Sequence, residues 1–133
     1  LDSRGLDGGV LVDTSVWIDF LRKDTAPGGA LEGLIRTGRV VTTGIVIFEL
    51  VQGVRSDKEK AMISGLLLGL DYVEMSHDLW GFAGTLSRSL KGRGLNLPLS
   101  DVLLAAIALK HELSLFTLDS HFDGIPGLKR HAP

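Results

Sequence analysis

The chain has no cysteine. That absence excludes thiolate metal sites and cysteine nucleophiles, fits a reducing compartment, and leaves oxygen and imidazole as the donors for any bound metal. Long apolar runs are missing as well. The longest unbroken one, Val102 to Leu109, falls far short of the roughly 20 residues that span a bilayer. No secretory leader is expected, because the first apolar segment contains Asp13 and is followed by Asp19, Arg22 and Lys23. The expected location is therefore cytoplasmic, with no membrane partner. A basic excess is also lacking: 14 Lys and Arg stand against 16 Asp and Glu, for a formal charge of −2. This argues against nucleic-acid binding by bulk charge, though not against a local basic patch. Arg22, Lys23, Arg88, Lys91 and Arg93 are candidates to meet phosphate, and equally fit solvated helix ends. No internal repeat or low-complexity tract occurs.

What is present fits one globular domain: 133 residues, 44% hydrophobic and 23% charged. Residues 1–9, rich in Gly and Asp, are expected to form a mobile arm, with the folded domain over 10–133. Val10-Leu11-Val12 reads as a buried strand, followed by a helix to Arg22 for which Thr14 and Ser15 supply capping hydroxyls. A loop is expected over Thr25 to Gly29, then a helix ending near Gly38 and a second strand over Val40 to Thr42. Thr42-Thr43 should cap a helix from Gly44 to Gly53 that is apolar on nearly every side except at Glu49. Further helices are expected over Asp57 to Leu70 and Ser76 to Lys91, with a third strand at Tyr72-Val73 between them. Pro98 suits the first turn of a helix running through Val102 to Ala108, with Asp101 in its opening turn. A fourth strand is expected over Ser114 to Thr117, a short turn over Ser120 to Phe122 and a last strand near Leu128-Lys129. Strands alternating with helices predict an α/β layered fold with a central, mainly parallel sheet of four to five short strands flanked by helices.

Four acids stand out against this pattern. Asp13 and Asp119 fall at strand ends, where ligands of such sheets bind, and Glu49 and Asp101 lie on helices. Each has an ordinary explanation alone: a helix cap for Asp13, a dipole partner for Asp101, a turn cap for Asp119. Glu49 is harder to explain in that way, since a helix apolar all round gives a charge little access to water. Together they would repel unless a cation joined them, and an all-oxygen carboxylate site suits a hard ion such as Mg²⁺. Such an ion can activate a water for in-line attack on phosphorus, which makes phosphodiester hydrolysis the expected chemistry.

The segments Val10-Leu11-Val12-Asp13-Thr14-Ser15-Val16-Trp17-Ile18-Asp19, Phe48-Glu49-Leu50, Leu99-Ser100-Asp101-Val102-Leu103-Leu104-Ala105-Ala106 and Leu115-Phe116-Thr117-Leu118-Asp119-Ser120-His121-Phe122 resemble a PIN domain of the VapC toxin type in order, spacing and context. The resemblance covers nearly everything after Gly9. It implies a Mg²⁺- or Mn²⁺-dependent endoribonuclease, a homodimer, acting on RNA and held inactive by a VapB-like antitoxin. It also implies that Asp13 and Asp101 are the principal metal carboxylates, with Glu49 and Asp119 completing the cluster, directly or through water. Thr14, Ser15 and Thr117 match positions where the family often has hydroxyls able to orient acids or waters, and capping explains them equally well. One departure is Glu112-Leu113, where many relatives have a glycine after the helix.

Rival chemistries fit less well. A haloacid-dehalogenase pattern needs a second Asp two residues after Asp13, where Ser15 stands. Gly92-Arg93-Gly94 lacks the third glycine of a dinucleotide turn and follows a helix. His77, His111, His121 and His131 form no pair suited to metal-free RNA cleavage. His121 is read as packing or capping near Asp119. The alternative from another class is a catalytically silent PIN-fold binding or regulatory module, which should show replacement of a cluster acid; all four are present.

Overall fold

A computed structural model describes residues 6–22 and 26–132, with backbone alone for 26–28. Strands β1 (Val10–Val12), β2 (Val40–Thr43), β3 (Asp71–Val73) and β4 (Ser114–Phe116) form a parallel sheet in the order β3-β2-β1-β4. Leu11 sits in register with Val41 on one side and Leu115 on the other. Because β1 is central and covered on both faces, its three residues are all apolar and fully buried, as parallel strands require.

Among the described residues the helices are α1 (Thr14–Arg22), α2 (Ala26–Arg36), α3 (Gly44–Gln52), α4 (Asp57–Leu68), α5 (His77–Gly92) and α6 (Leu99–Lys110). Ser56 accepts the Glu59 amide at 3.1 Å, and Ser76 the Leu79 amide at 3.2 Å, which fixes where α4 and α5 begin. α6 is the core helix: Asp101 through Ala108 are all buried, so the apolar run that was too short for a membrane fills the domain centre. Among the described residues no helix is long and apolar enough to cross a membrane.

Several expectations are corrected. The loop predicted over Thr25 to Gly29 is, from Ala26 on, the opening of α2, since Pro27 fits a first helical turn without loss of a bond; Thr25 lies outside the described residues. The expected final strand is reduced to one bridge, in which Leu115 donates to Lys129 O (2.8 Å) and accepts from His131 N (2.9 Å). Residues 1–5 of the expected arm lie outside the description, but Leu6 is buried in the core and its carbonyl accepts the Gly9 amide at 2.7 Å. A Cβ on Gly9 would stand 2.7 Å from that carbonyl and 3.0 Å from both Leu113 and Val41, so the close turn demands glycine. Thr43 does not cap α3; its hydroxyl donates to Val73 O at 2.7 Å and ties β2 to β3. α3 is not apolar on a buried surface all round either, because Phe48 is 60% exposed. Glu112, the residue standing where a glycine was expected, has φ +55, the left-handed conformation that ends a helix and favours glycine.

The chain lays down β1, β2 and β3 in one direction and returns to the other side of β1 for β4. Sheet order therefore switches between β1 and β4, and the crevice beyond their carboxyl ends is where such folds place ligands.

Candidate metal centre

Asp13 is the first residue past β1. Its amide donates to Phe116 O at 2.9 Å, so it is held by the last bond of the β1–β4 pairing. Its carboxylate accepts three hydrogen bonds: Oδ1 from the Thr14 amide (2.8 Å), Oδ2 from the Ser15 hydroxyl (2.9 Å) and the Thr117 hydroxyl (2.7 Å). Those two hydroxyls are themselves oriented by the chain leaving β4. Leu118 N donates to Ser15 Oγ at 3.1 Å and Asp119 N to Thr117 Oγ1 at 3.0 Å. With its acceptor side taken by an amide, each hydroxyl points its proton at Asp13. The expected capping role of Thr14 and Ser15 is thus replaced by contacts with acids.

Thr14 turns the other way and donates to Glu49 Oε1 at 2.8 Å, linking α1 to α3. Glu49 is partly buried in the second half of α3 and borders a cleft with Ile18, Leu21, Arg22 and Ile63. Asp119 caps the 3-10 turn Ser120–Gly124 by accepting the His121 amide on Oδ1 at 2.8 Å. Arg130 steadies this exit by donating to Thr117 O at 3.1 Å and pairing with Asp123. Asp101 enters from the first turn of α6 with only 12% of its side chain exposed.

The 3-10 turn swings His121 back over these acids. Its Nδ1 lies 3.2 Å from Asp101 Oδ2 and 3.0 Å from Asp119 Oδ2, and the ligating atoms of all three residues fall within 4.8 Å of one another. Asp13 stands beside this group without sharing its tight spacing, and Glu49 joins through Thr14. The structure thus groups Asp101 and Asp119 with His121 and sets Asp13 close enough for its charge to act on Asp101, while Glu49 is tied to Thr14 and not to the other acids. The place of His121 two residues after Asp119 was the available signal; the turn that folds it back could not be read from spacing.

Burial pushes the Asp101 carboxyl above its ordinary value; the His121 hydrogen bond opposes this, and the charges of Asp13 and Asp119 reinforce it. Among the described residues no Lys or Arg pairs with Asp13, Asp101 or Asp119. Oxygen and one imidazole fit Mg²⁺ or Mn²⁺, and nothing in the set suits a thiophilic ion.

Comparison with known proteins follows this geometry. A ribonuclease, VapC19, of Mycobacterium tuberculosis is 29% identical over 121 residues, covering 90% of this chain and 96% of its own. A toxin-antitoxin complex from Klebsiella pneumoniae contains a chain of TM-score 0.75 and 25% identity, covering 90% and 95%. A DNA-bound VapBC complex from Salmonella typhimurium gives a TM-score of 0.78 at 17% identity, covering 92% and 96%. The model of the PIN domain matches residues 10–128, and the chain belongs to the PIN domain family.

Proposed function

We propose that this chain is the toxin of a VapBC-type toxin-antitoxin pair, a metal-dependent endoribonuclease that hydrolyses RNA phosphodiester bonds. The observation that carries the reading is the meeting of Asp101 and Asp119, with Asp13 beside them, at the β1–β4 switch point. Similarity to a ribonuclease over 90% of the chain supports the reaction class. Asp13 and Asp101 are assigned as the main metal carboxylates, with Asp119 and Glu49 as further acids.

A divalent ion held there would supply a Lewis acid for the scissile phosphate and lower the pKa of a water. The protein's own work is positional. Thr117 and Ser15 both donate to Oδ2 of Asp13 and the Thr14 amide to Oδ1, which holds the carboxylate in place with its free acceptor capacity on Oδ1, and the Thr14 hydroxyl fixes Glu49. Asp101, buried beside the charges of Asp13 and Asp119, would gain a counter-charge from a cation held there. The attacking group is water and not the ribose, so products carry a 5′-phosphate and a 3′-hydroxyl.

Two surfaces fit the proposed partners. Phe48 and Trp80, 60% and 50% exposed, border one apolar groove and are assigned to a homodimer contact. The cleft of Ile18, Leu21 and Ile63 beside Glu49 fits an apolar antitoxin helix whose Arg or Lys tail reaches the acids. Trp17, on the same helix as Ile18 and Leu21, is 2% exposed and belongs to the core. Mapping RNA ends in cells after inducing the wild-type chain and Asp13→Asn tests the proposal. New ends should appear with the wild type alone; identical ends from both would overturn it and favour a silent module.

A further inference from the structure

We infer that His121 is a direct metal ligand, making this centre a mixed carboxylate–imidazole site instead of an all-oxygen one. The inference rests on the metal-dependent reading above and concerns which atoms hold the ion. Its basis is the placement of Nδ1 at 3.2 Å from Asp101 Oδ2 and 3.0 Å from Asp119 Oδ2. An octahedral ion with bonds of roughly 2.1 Å separates adjacent ligands by about 3 Å. Both separations match that edge, and the 4.8 Å envelope of the group leaves room for adjacent or opposite placement of the two carboxylates.

The backbone supports the same role. Asp119 Oδ1 accepts the His121 amide, which leaves Oδ2 free to share a target with the ring of the residue it caps. The His121 side chain is 55% exposed, so packing does not account for where it sits. Nδ1 faces two carboxylate oxygens that can only accept, which places it as a donor to them. In the tautomer with the proton on Nε2, the same nitrogen would offer its lone pair to an ion, and the ring need not move away.

A nitrogen ligand changes ion preference. Mg²⁺ is hard and gains little from imidazole, whereas Mn²⁺ lies on the transition-metal series in which nitrogen donors contribute. His121→Ala should therefore weaken Mn²⁺ binding by at least the roughly tenfold that loss of even a supporting group costs, and weaken Mg²⁺ binding less.

The test is electron spin-echo envelope modulation on the full chain loaded with Mn²⁺, which detects a nitrogen bonded to the ion independently of activity. The wild type should show ¹⁴N modulation that changes to the ¹⁵N pattern when histidine is isotopically labelled. In His121→Ala the modulation should vanish while Mn²⁺ remains bound at saturating concentration. The labelled wild type keeps the question decidable even if the variant misfolds. Mn²⁺ bound in an Asp101-dependent way with no nitrogen modulation would overturn the ligand assignment and leave the nuclease proposal standing. Modulation that persists in a folded His121→Ala would overturn it too. No Mn²⁺ binding by the wild type would overturn both.

Discussion

Replacing Asp101 by Asn should stabilise the metal-free protein while abolishing its response to metal. Asn keeps the shape and can still accept from His121, but removes a charge whose ligating atom lies within 4.8 Å of that of Asp119. Coulomb's law gives two unit charges at that separation about 3.5 kcal/mol at an effective dielectric of about 20, and about 0.9 kcal/mol in bulk water. Since Asp119 is 34% exposed, the smaller half of that range applies, and a gain of about 1–2 kcal/mol is expected. For a chain of this length that is a rise of about 3–8 °C in Tm. Differential scanning calorimetry in chelator at low salt reads it. Added Mn²⁺ at about 100 times its Kd should then lift the wild type by about 2.7 kcal/mol and the variant hardly at all, reversing their order. The pH dependence has a definite sign. Because the folded-state pKa of Asp101 is raised, the cost of ionising it is absent below its ordinary value of 3.8 and fully present above the raised value. The gap between variant and wild type should be open at pH 7 and close as pH falls below about 4. An unchanged or lowered Tm for Asp101→Asn in chelator at neutral pH would refute the reasoning.

Thr117→Val removes a buried hydroxyl that joins Asp13 to the Asp119 amide; stability should fall by about 1–2 kcal/mol and metal affinity by about tenfold or more, read by denaturant titration and calorimetry. Gly9→Ala forces a Cβ against Leu6 O and two core side chains, and should cost about 1–3 kcal/mol in denaturant unfolding while leaving metal binding intact. Glu112→Gly relieves a left-handed residue at φ +55 and should raise stability by up to about 1 kcal/mol; a loss would show that the side chain contributes more than the strain costs. Trp80→Glu, placing a charge on the exposed apolar groove, should convert the proposed dimer to a monomer by sedimentation velocity.

Much of the site could be read from the sequence because its acids interrupt apolar segments. Asp13 follows Val10-Leu11-Val12 and Asp119 follows Leu115-Phe116, and a charge at such an edge marks the carboxyl end of a buried strand. Asp101 was legible for the same reason at the head of the helix that carries the longest apolar run. Three things were not legible. The hydroxyls of Thr14 and Ser15 look like caps because capping is their commonest use near a helix start; only the approach of α3 gives Thr14 its partner Glu49, and Ser15 bonds Asp13 two residues before it. His121 depends on a 3-10 turn that reverses its direction, which no periodicity encodes. Trp17 and Phe48 are both large aromatics on helices, yet one is buried and the other exposed, because neighbouring helices decide which face is covered.

The most direct measurement is end-group analysis of RNA cut by the purified chain with Mn²⁺, with chelator, and with Asp13→Asn or Asp101→Asn in place of the wild type. The account predicts 5′-phosphate and 3′-hydroxyl ends from the metal-loaded wild type, retained on a substrate with a 2′-deoxy nucleotide at the cleavage site, and no cutting in the other three cases. Cyclic-phosphate ends, a strict need for that 2′-hydroxyl, or cleavage that survives chelator would contradict it.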